Sequence, residues 1–135
     1  MIEELHLSAQ ISHKAIIFQD GKVLLVKDRQ GRFEFPGGRM HEGEEPMESL
    51  KREVQEELSI AIEPERIFDT FVDASILNSP RYTVVYIARA LEMINIEKHQ
   101  KEEILEVRWV EASEVKELAM LDQNRRILIK FFNSH

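Results

Sequence analysis

The chain has 135 residues, 43% of them hydrophobic, with five glycines, four prolines and no cysteine. That length suits one domain spanning 1–135 with core enough to fold unstapled, and the missing thiol excludes a disulfide scaffold, a zinc ribbon and a cysteine nucleophile. Eighteen basic against 25 acidic residues give a formal charge of −7, a surface that repels nucleic-acid polymers and anionic membranes, so a phosphate-bearing substrate needs a local basic pocket or a bound cation.

The first ten residues, MIEELHLSAQ, are acidic and lack the apolar run of a signal peptide. No later run approaches the ~20 apolar residues of a membrane span. With no cysteine, a reducing, cytoplasmic location is expected. Runs of β-branched residues predict strands over 11–18 and 22–27. Gln19-Asp20-Gly21 between them reads as a hairpin turn, with Gly21 supplying a positive φ. Residues 23–26 are apolar without alternation, the pattern of a strand covered on both faces. Phe33-Glu34-Phe35-Pro36-Gly37-Gly38 ends a short strand in a tight turn, where glycine lets the backbone approach a ligand closely.

The next segment predicts a helix over 46–58, with Pro46 in the first turn, where its missing N–H costs nothing. Met47, Leu50, Val54 and Leu58 form an apolar stripe. Glu53, Glu56 and Glu57 share another face, their Cβ atoms about 5–6 Å apart. Taken alone, such a run is most simply a solvated acidic face. Three carboxylates this close nonetheless repel unless cations offset them. Arg52 can offset one, and the remainder suits a hard divalent cation such as magnesium.

Further strands are predicted over 82–90 and 104–110, with a weaker one over 66–76, and helices over 112–118 and 123–132, the latter capped by Asp122. Helices interspersed among buried strands imply an α+β fold, an α/β/α sandwich with a mixed central sheet flanked by helices. The five histidines show no metal-site spacing, and Trp109 reads as strand packing. Phe131 and Phe132 either pack the last helix onto the sheet or, exposed on one face, support a homodimer.

Gly38, Glu44, Arg52-Glu53-Val54, Glu56-Glu57 and Ile60 together resemble the Nudix box of the Nudix hydrolases. That box is a glycine, five residues, Glu, seven residues, Arg-Glu-aliphatic, one residue, Glu-Glu, one residue, Gly, aliphatic. Eight of the nine specified positions match, and the flanking elements resemble the family's sandwich. Ser59 stands where the box has glycine. The role of that glycine is a left-handed residue ending the helix, so the departure touches the helix end rather than a metal ligand.

The resemblance implies metal-dependent hydrolysis of a diphosphate bond in a nucleoside diphosphate linked to some group X. It implies that Glu53, Glu56 and Glu57 hold magnesium, with manganese as a substitute, helped by the backbone carbonyl of Gly37 and by a loop carboxylate, Glu103 or its neighbour Glu102. Arg52 would orient the glutamates by charge-assisted hydrogen bonds, and Glu44 would pack or pair near the helix start. Bound metal lowers the pKa of water, and Glu53, Glu56 or the loop glutamate would take its proton as it attacks phosphorus. Gly38 would lie against the substrate.

The stretch FEFPGG also resembles the family's nucleotide-sanitising branch, which converts oxidised dGTP to the monophosphate and pyrophosphate. On that reading Phe35 and Asn124 contact the base, although Phe35 as core and Asn124 as a helix-start residue are the plainer readings. The alternatives are an ADP-ribose or other nucleotide-sugar pyrophosphatase, and a non-catalytic nucleotide-binding module on the same fold. The intact acids of Arg-Glu-Val-Gln-Glu-Glu speak against the last.

Overall fold

The computed structural model describes residues 4–98 and 104–135. Strand β1 (Gln10–Gln19) turns into β2 (Lys22–Lys27) through Asp20 and Gly21, whose φ values of 51° and 77° are both positive. Positive φ at both central residues is the two-residue hairpin turn that matches the twist of its strands.

The two strands soon part, with Cα partners only at Phe18–Val23 and Gln19–Lys22. Beyond that end β1 pairs antiparallel with β4 (Gly37–Arg39) and parallel with β6 (Arg81–Ala90), which carries β5 (Ile62–Asp73) on its other side. Strand β2 instead pairs antiparallel with β3 (Phe33–Glu34) and β7 (Glu106–Val110). The result is a mixed seven-stranded sheet that opens into two walls away from the hairpin.

Neighbouring residues of these strands serve two different cores. Ala15, Ile17, Leu24 and Val26 pack with Leu50, Val54 and Leu58 of helix α1 (Pro46–Leu58). Ile16, Val23 and Leu25 pack with Ile127, Leu128 and Phe131 of helix α2 (Asp122–Ser134). That is the physical reason the strands read as continuous apolar runs. The fold is α+β, a mixed sheet between helices, as the pattern predicts.

Several local expectations are corrected. The predicted helix over 112–118 is a 3₁₀ helix, Ala112–Glu117, opened by a reciprocal pair of side-chain bonds between Glu111 and Glu114. It ends where Arg125 of α2 donates to the Val115 and Leu118 carbonyls, taking up acceptors that further helical turns would need. Asp122 does not cap α2. Leu121 holds the cap position, and Asp122 sits in the first turn, where a carboxylate suits the helix dipole. The weak strand over 66–76 runs from Ile62 to Asp73, with register shifts at Pro64/Arg66 and Ile67/Asp69 that obscure its alternation. The strand predicted from 104 starts at Glu106.

Met47 is 43% exposed and is no part of the apolar stripe of α1, whose buried face includes Glu53 and Glu57 instead. Phe131 is buried edge-on to Phe18 and Phe68 and stacks on His135, so it packs α2 onto the sheet and offers no dimer surface. Phe132 packs partly buried against the same core. Among the described residues no helix is long and apolar enough to cross a membrane.

Helix α1 ends as expected. Ser59 has φ 57° and ψ 34°, the left-handed conformation, and its N–H donates to the Gln55 carbonyl at 2.9 Å. A side chain in that region carries strain that glycine escapes. Ser59→Gly is therefore expected to stabilise the fold by a fraction of a kcal/mol up to ~1 kcal/mol, read as a higher midpoint in urea. An unchanged or lower midpoint would show that the hydroxyl residue is relaxed there.

Candidate active site

Where the two sheet walls part, a cleft of about 1010 Å³ opens. Lys14, Gly37 and Gly38 line one wall, Lys27 and Glu34 the other, and Glu53, Glu56 and Glu57 of α1 face into it. The glycine turn and the acidic helix fit together at atomic contact. A Cβ on Gly38 would stand 2.6 Å from Oε2 of Glu53, so only glycine lets that carboxylate lie against the backbone. At Gly37 φ is +137°, and a Cβ would stand 2.1 Å from the backbone oxygen of His13. The Gly37 N–H donates to Oε1 of Glu57 at 2.6 Å.

Glu57 is 6% exposed. Burial pushes its carboxyl up to about 7, against the opposing pull of the Lys14 charge and the Gly37 N–H. A carboxylate held this way lacks a full counter-charge. Glu53 is also buried.

Arg52 ties the acids together. Its Nη1 donates to Glu53 at 3.0 Å and to both oxygens of Glu56 at 3.1 Å. Its Nε donates to Glu44 at 2.5 Å, and its Nη2 to Glu44 at 3.1 Å and to the Arg39 carbonyl at 3.3 Å. The Arg52 hydrogen bond, helped by the His41 N–H at 2.7 Å, holds the Glu44 carboxyl down at about 2. One guanidinium thus fastens the loop after the glycines to the helix.

Gly37, Gly38, Glu53, Glu56 and Glu57 share the cleft, and Arg52 braces the glutamates from beside it. Among the described residues no three of His, Asp and Glu converge as a ready-made metal cage. Arg52 draws Glu53 and Glu56 toward itself while Glu57 turns to the Gly37 N–H. Glu102 and Glu103 lie outside the described residues.

Phe35 and Asn124 are buried away from the cleft lining. Phe35 is 0% exposed in the core under α2, beside Phe33, while Glu34 between them lines the cleft. The two-residue period of extended chain sends the phenylalanines to one side and Glu34 to the other. Asn124 is 5% exposed and shares the buried stripe of α2 with Ile127, Leu128 and Phe131. Neither residue lines the cleft.

The chemistry of the remaining donors fits a divalent cation. Hard cations take carboxylate and backbone carbonyl oxygens, and the buried, under-neutralised Glu57 next to buried Glu53 is a place where added positive charge is stabilising. Sequence reasoning missed Lys14 and Glu34, whose Nζ and Oε1 stand 3.6 Å apart across the cleft. The available signal was a lysine directly before the apolar run Ala15 to Phe18 of β1.

Comparison with known proteins follows the same lines. The family model described as NUDIX domain matches residues 10–132. No curated protein matches the chain. Among solved structures, a NUDIX hydrolase from Nitrosomonas europaea is similar at a TM-score of 0.79 and 18% identity, over 94% of this chain and 90% of that one. The MutT protein from Methanosarcina mazei Go1 is similar at 0.78 and 22%, over 97% of each chain. An ADP-ribose pyrophosphatase from Streptococcus suis is similar at 0.69 and 21%, over 92% of each. At these identities the structural likeness establishes the fold.

Proposed function

Because the chain belongs to the Nudix family of pyrophosphohydrolases, we propose that residues 1–135 form one catalytic domain that hydrolyses the diphosphate bond of a nucleoside diphosphate linked to X, with magnesium or manganese as cofactor. The observation that carries this reading is the buried Glu57 carboxylate, fastened to the glycine turn at 2.6 Å and raised to about 7 by burial. Left without a cation, that group costs the fold stability, and a cation-dependent site gives it a use.

Glu53, Glu56 and Glu57, with the Gly37 carbonyl, would hold the cation. When bound, the cation neutralises the diphosphate and makes a water more acidic. The chain's own residues do the rest. Arg52 holds Glu53 and Glu56 in place by charge-assisted bonds. Those two carboxylates face the cleft and can accept the proton of a water attacking phosphorus. Gly38 lines the cleft, where it would lie against the diphosphate, and the room left by its missing side chain is taken by the Glu53 carboxylate.

The reading stays with nucleoside diphosphates linked to X, nucleotide sugars included. Phe35 and Asn124 lie outside the cleft lining, so the oxidised-purine contacts attached to them have no support there.

The test is a panel of nucleoside triphosphates, ADP-ribose and nucleotide sugars with magnesium, scored for phosphate or pyrophosphate after coupling enzymes. Excess chelator should abolish turnover, and magnesium should restore it. Undiminished turnover in chelator sinks the metal-dependent reading. Nucleotide binding without turnover of any compound supports the non-catalytic module instead.

A further inference from the structure

Lys14 stands in the middle of β1 between buried His13 and buried Ala15, and its side chain is 15% exposed. A lysine so enclosed needs partners. Among the described residues it has the Gly37 carbonyl at 3.4 Å and Oε1 of Glu34 at 3.6 Å. The first is the carbonyl assigned above to the cation. Its charge is also felt at Glu57, whose carboxylate it favours. An ammonium and a divalent cation repel each other strongly when they share an oxygen. The ammonium sits on a flexible four-carbon stem, and Glu34, on the opposite wall, offers it a seat that does not involve Gly37.

We propose that Lys14 is an internal counter-cation that competes with the divalent cation for the Gly37 carbonyl and the neighbourhood of Glu57, and withdraws onto Glu34 when that cation binds. The inference rests on the metal-dependent reading above. In the metal-free protein Lys14 supplies part of the positive charge that the buried acids require, so the glycine turn keeps its shape. The same charge lowers the affinity of the site for metal. Lys14 is thus a positioning residue that sets the metal concentration at which the site loads.

The test is direct Mn²⁺ binding, followed by the electron paramagnetic resonance of free Mn²⁺ at about pH 8, where carboxylates are deprotonated. Wild type, Lys14→Met and Glu57→Gln are compared, with circular dichroism to confirm folding. Lys14→Met is expected to bind Mn²⁺ about tenfold more tightly than wild type, because a repelling charge is gone. Glu57→Gln is expected to bind more weakly. If Lys14→Met does not fold, Lys14→Gln keeps a donor for Gly37 without the charge and should show the same tightening. Unchanged or weaker binding in a folded Lys14 variant, with wild type binding Mn²⁺ and Glu57→Gln weakened, overturns this inference alone. Absence of Mn²⁺ binding by wild type and Lys14 variants alike overturns the metal-dependent reading and this inference with it.

Discussion

Glu57→Gln is expected to lose about tenfold or more in turnover while the metal-free protein becomes more stable above pH 7. The substitution keeps shape and an acceptor oxygen for the Gly37 N–H, which now reaches Glu57 at 2.6 Å. It removes the charge. In the folded protein the Glu57 carboxyl titrates near 7, raised by burial. In the unfolded chain it titrates at about 4.3.

Between those values the folded state holds a proton that the unfolded state has released, so stability falls as pH rises through the window and the loss is complete above about 7. Glutamine does not titrate and escapes the loss. The gain above pH 7 is bounded at ~4 kcal/mol. Urea unfolding in chelator at about pH 5 and 8 reads it. The difference between variant and wild type should be small at the lower pH and widen at the higher. Equal stability at the higher pH would show that the carboxylate is not desolvated as described.

The second large effect is expected at the glycine turn. Gly37→Ala would place a Cβ 2.1 Å from the His13 backbone oxygen and 2.9 Å from the Lys14 Cα, at a φ of +137° that alanine avoids. Nothing can give way cheaply, because β4 is paired with β1 at that point. A loss of ~3–5 kcal/mol is expected, at the severe end for a single substitution.

Gly38→Ala differs in kind. Its Cβ would meet the Glu53 carboxylate, Oε2 at 2.6 Å, which is the end of a flexible side chain. That variant should fold with a cost of ~1 kcal/mol and lose activity because Glu53 is pushed aside. Thermal melts and turnover measured on both variants separate the two roles. A fully stable Gly37→Ala would refute the close approach of the turn to β1.

The parts of the site that were legible in the sequence are those joined by short-range geometry. Helix 46–58 is found with the bounds expected, and Gly38, Glu53 and Glu57 meet because a turn and the following helix bring them together. The left-handed Ser59 was readable for the same reason. The burial of Phe35 was not legible because a phenylalanine beside a glycine turn says nothing about which face of the sheet receives it, and Glu34 took the cleft side. The burial of Asn124 follows from its spacing to Ile127, Leu128 and Phe131, that of a buried stripe, which the polarity of its side chain obscured. The Lys14–Glu34 pair was invisible because its members stand on opposite walls whose separation depends on where β1 and β2 part. The six residues of Ala112–Glu117 are too few for a period to distinguish 3₁₀ from α geometry.

The parallel pairing of β1 with β6 governs how the chain assembles during synthesis. Gln10 pairs with Arg81 and Ile17 with Ala88, so a loop containing β2, β3, β4, α1 and β5 must close before that ladder exists. Such distant pairings form slowly compared with hairpins and helices. The hairpin and the Ser12–Arg39 pairing can form as soon as the first forty or so residues are available. Helix α1 emerges next, its apolar stripe of Leu50, Val54 and Leu58 awaiting Tyr86, Ala88 and Val107, which belong to the same core. A nascent chain stalled before β6 therefore carries an acidic helix whose apolar stripe is covered only in part, by Ala15, Ile17, Leu24 and Val26, a state exposed to aggregation and to chaperone capture.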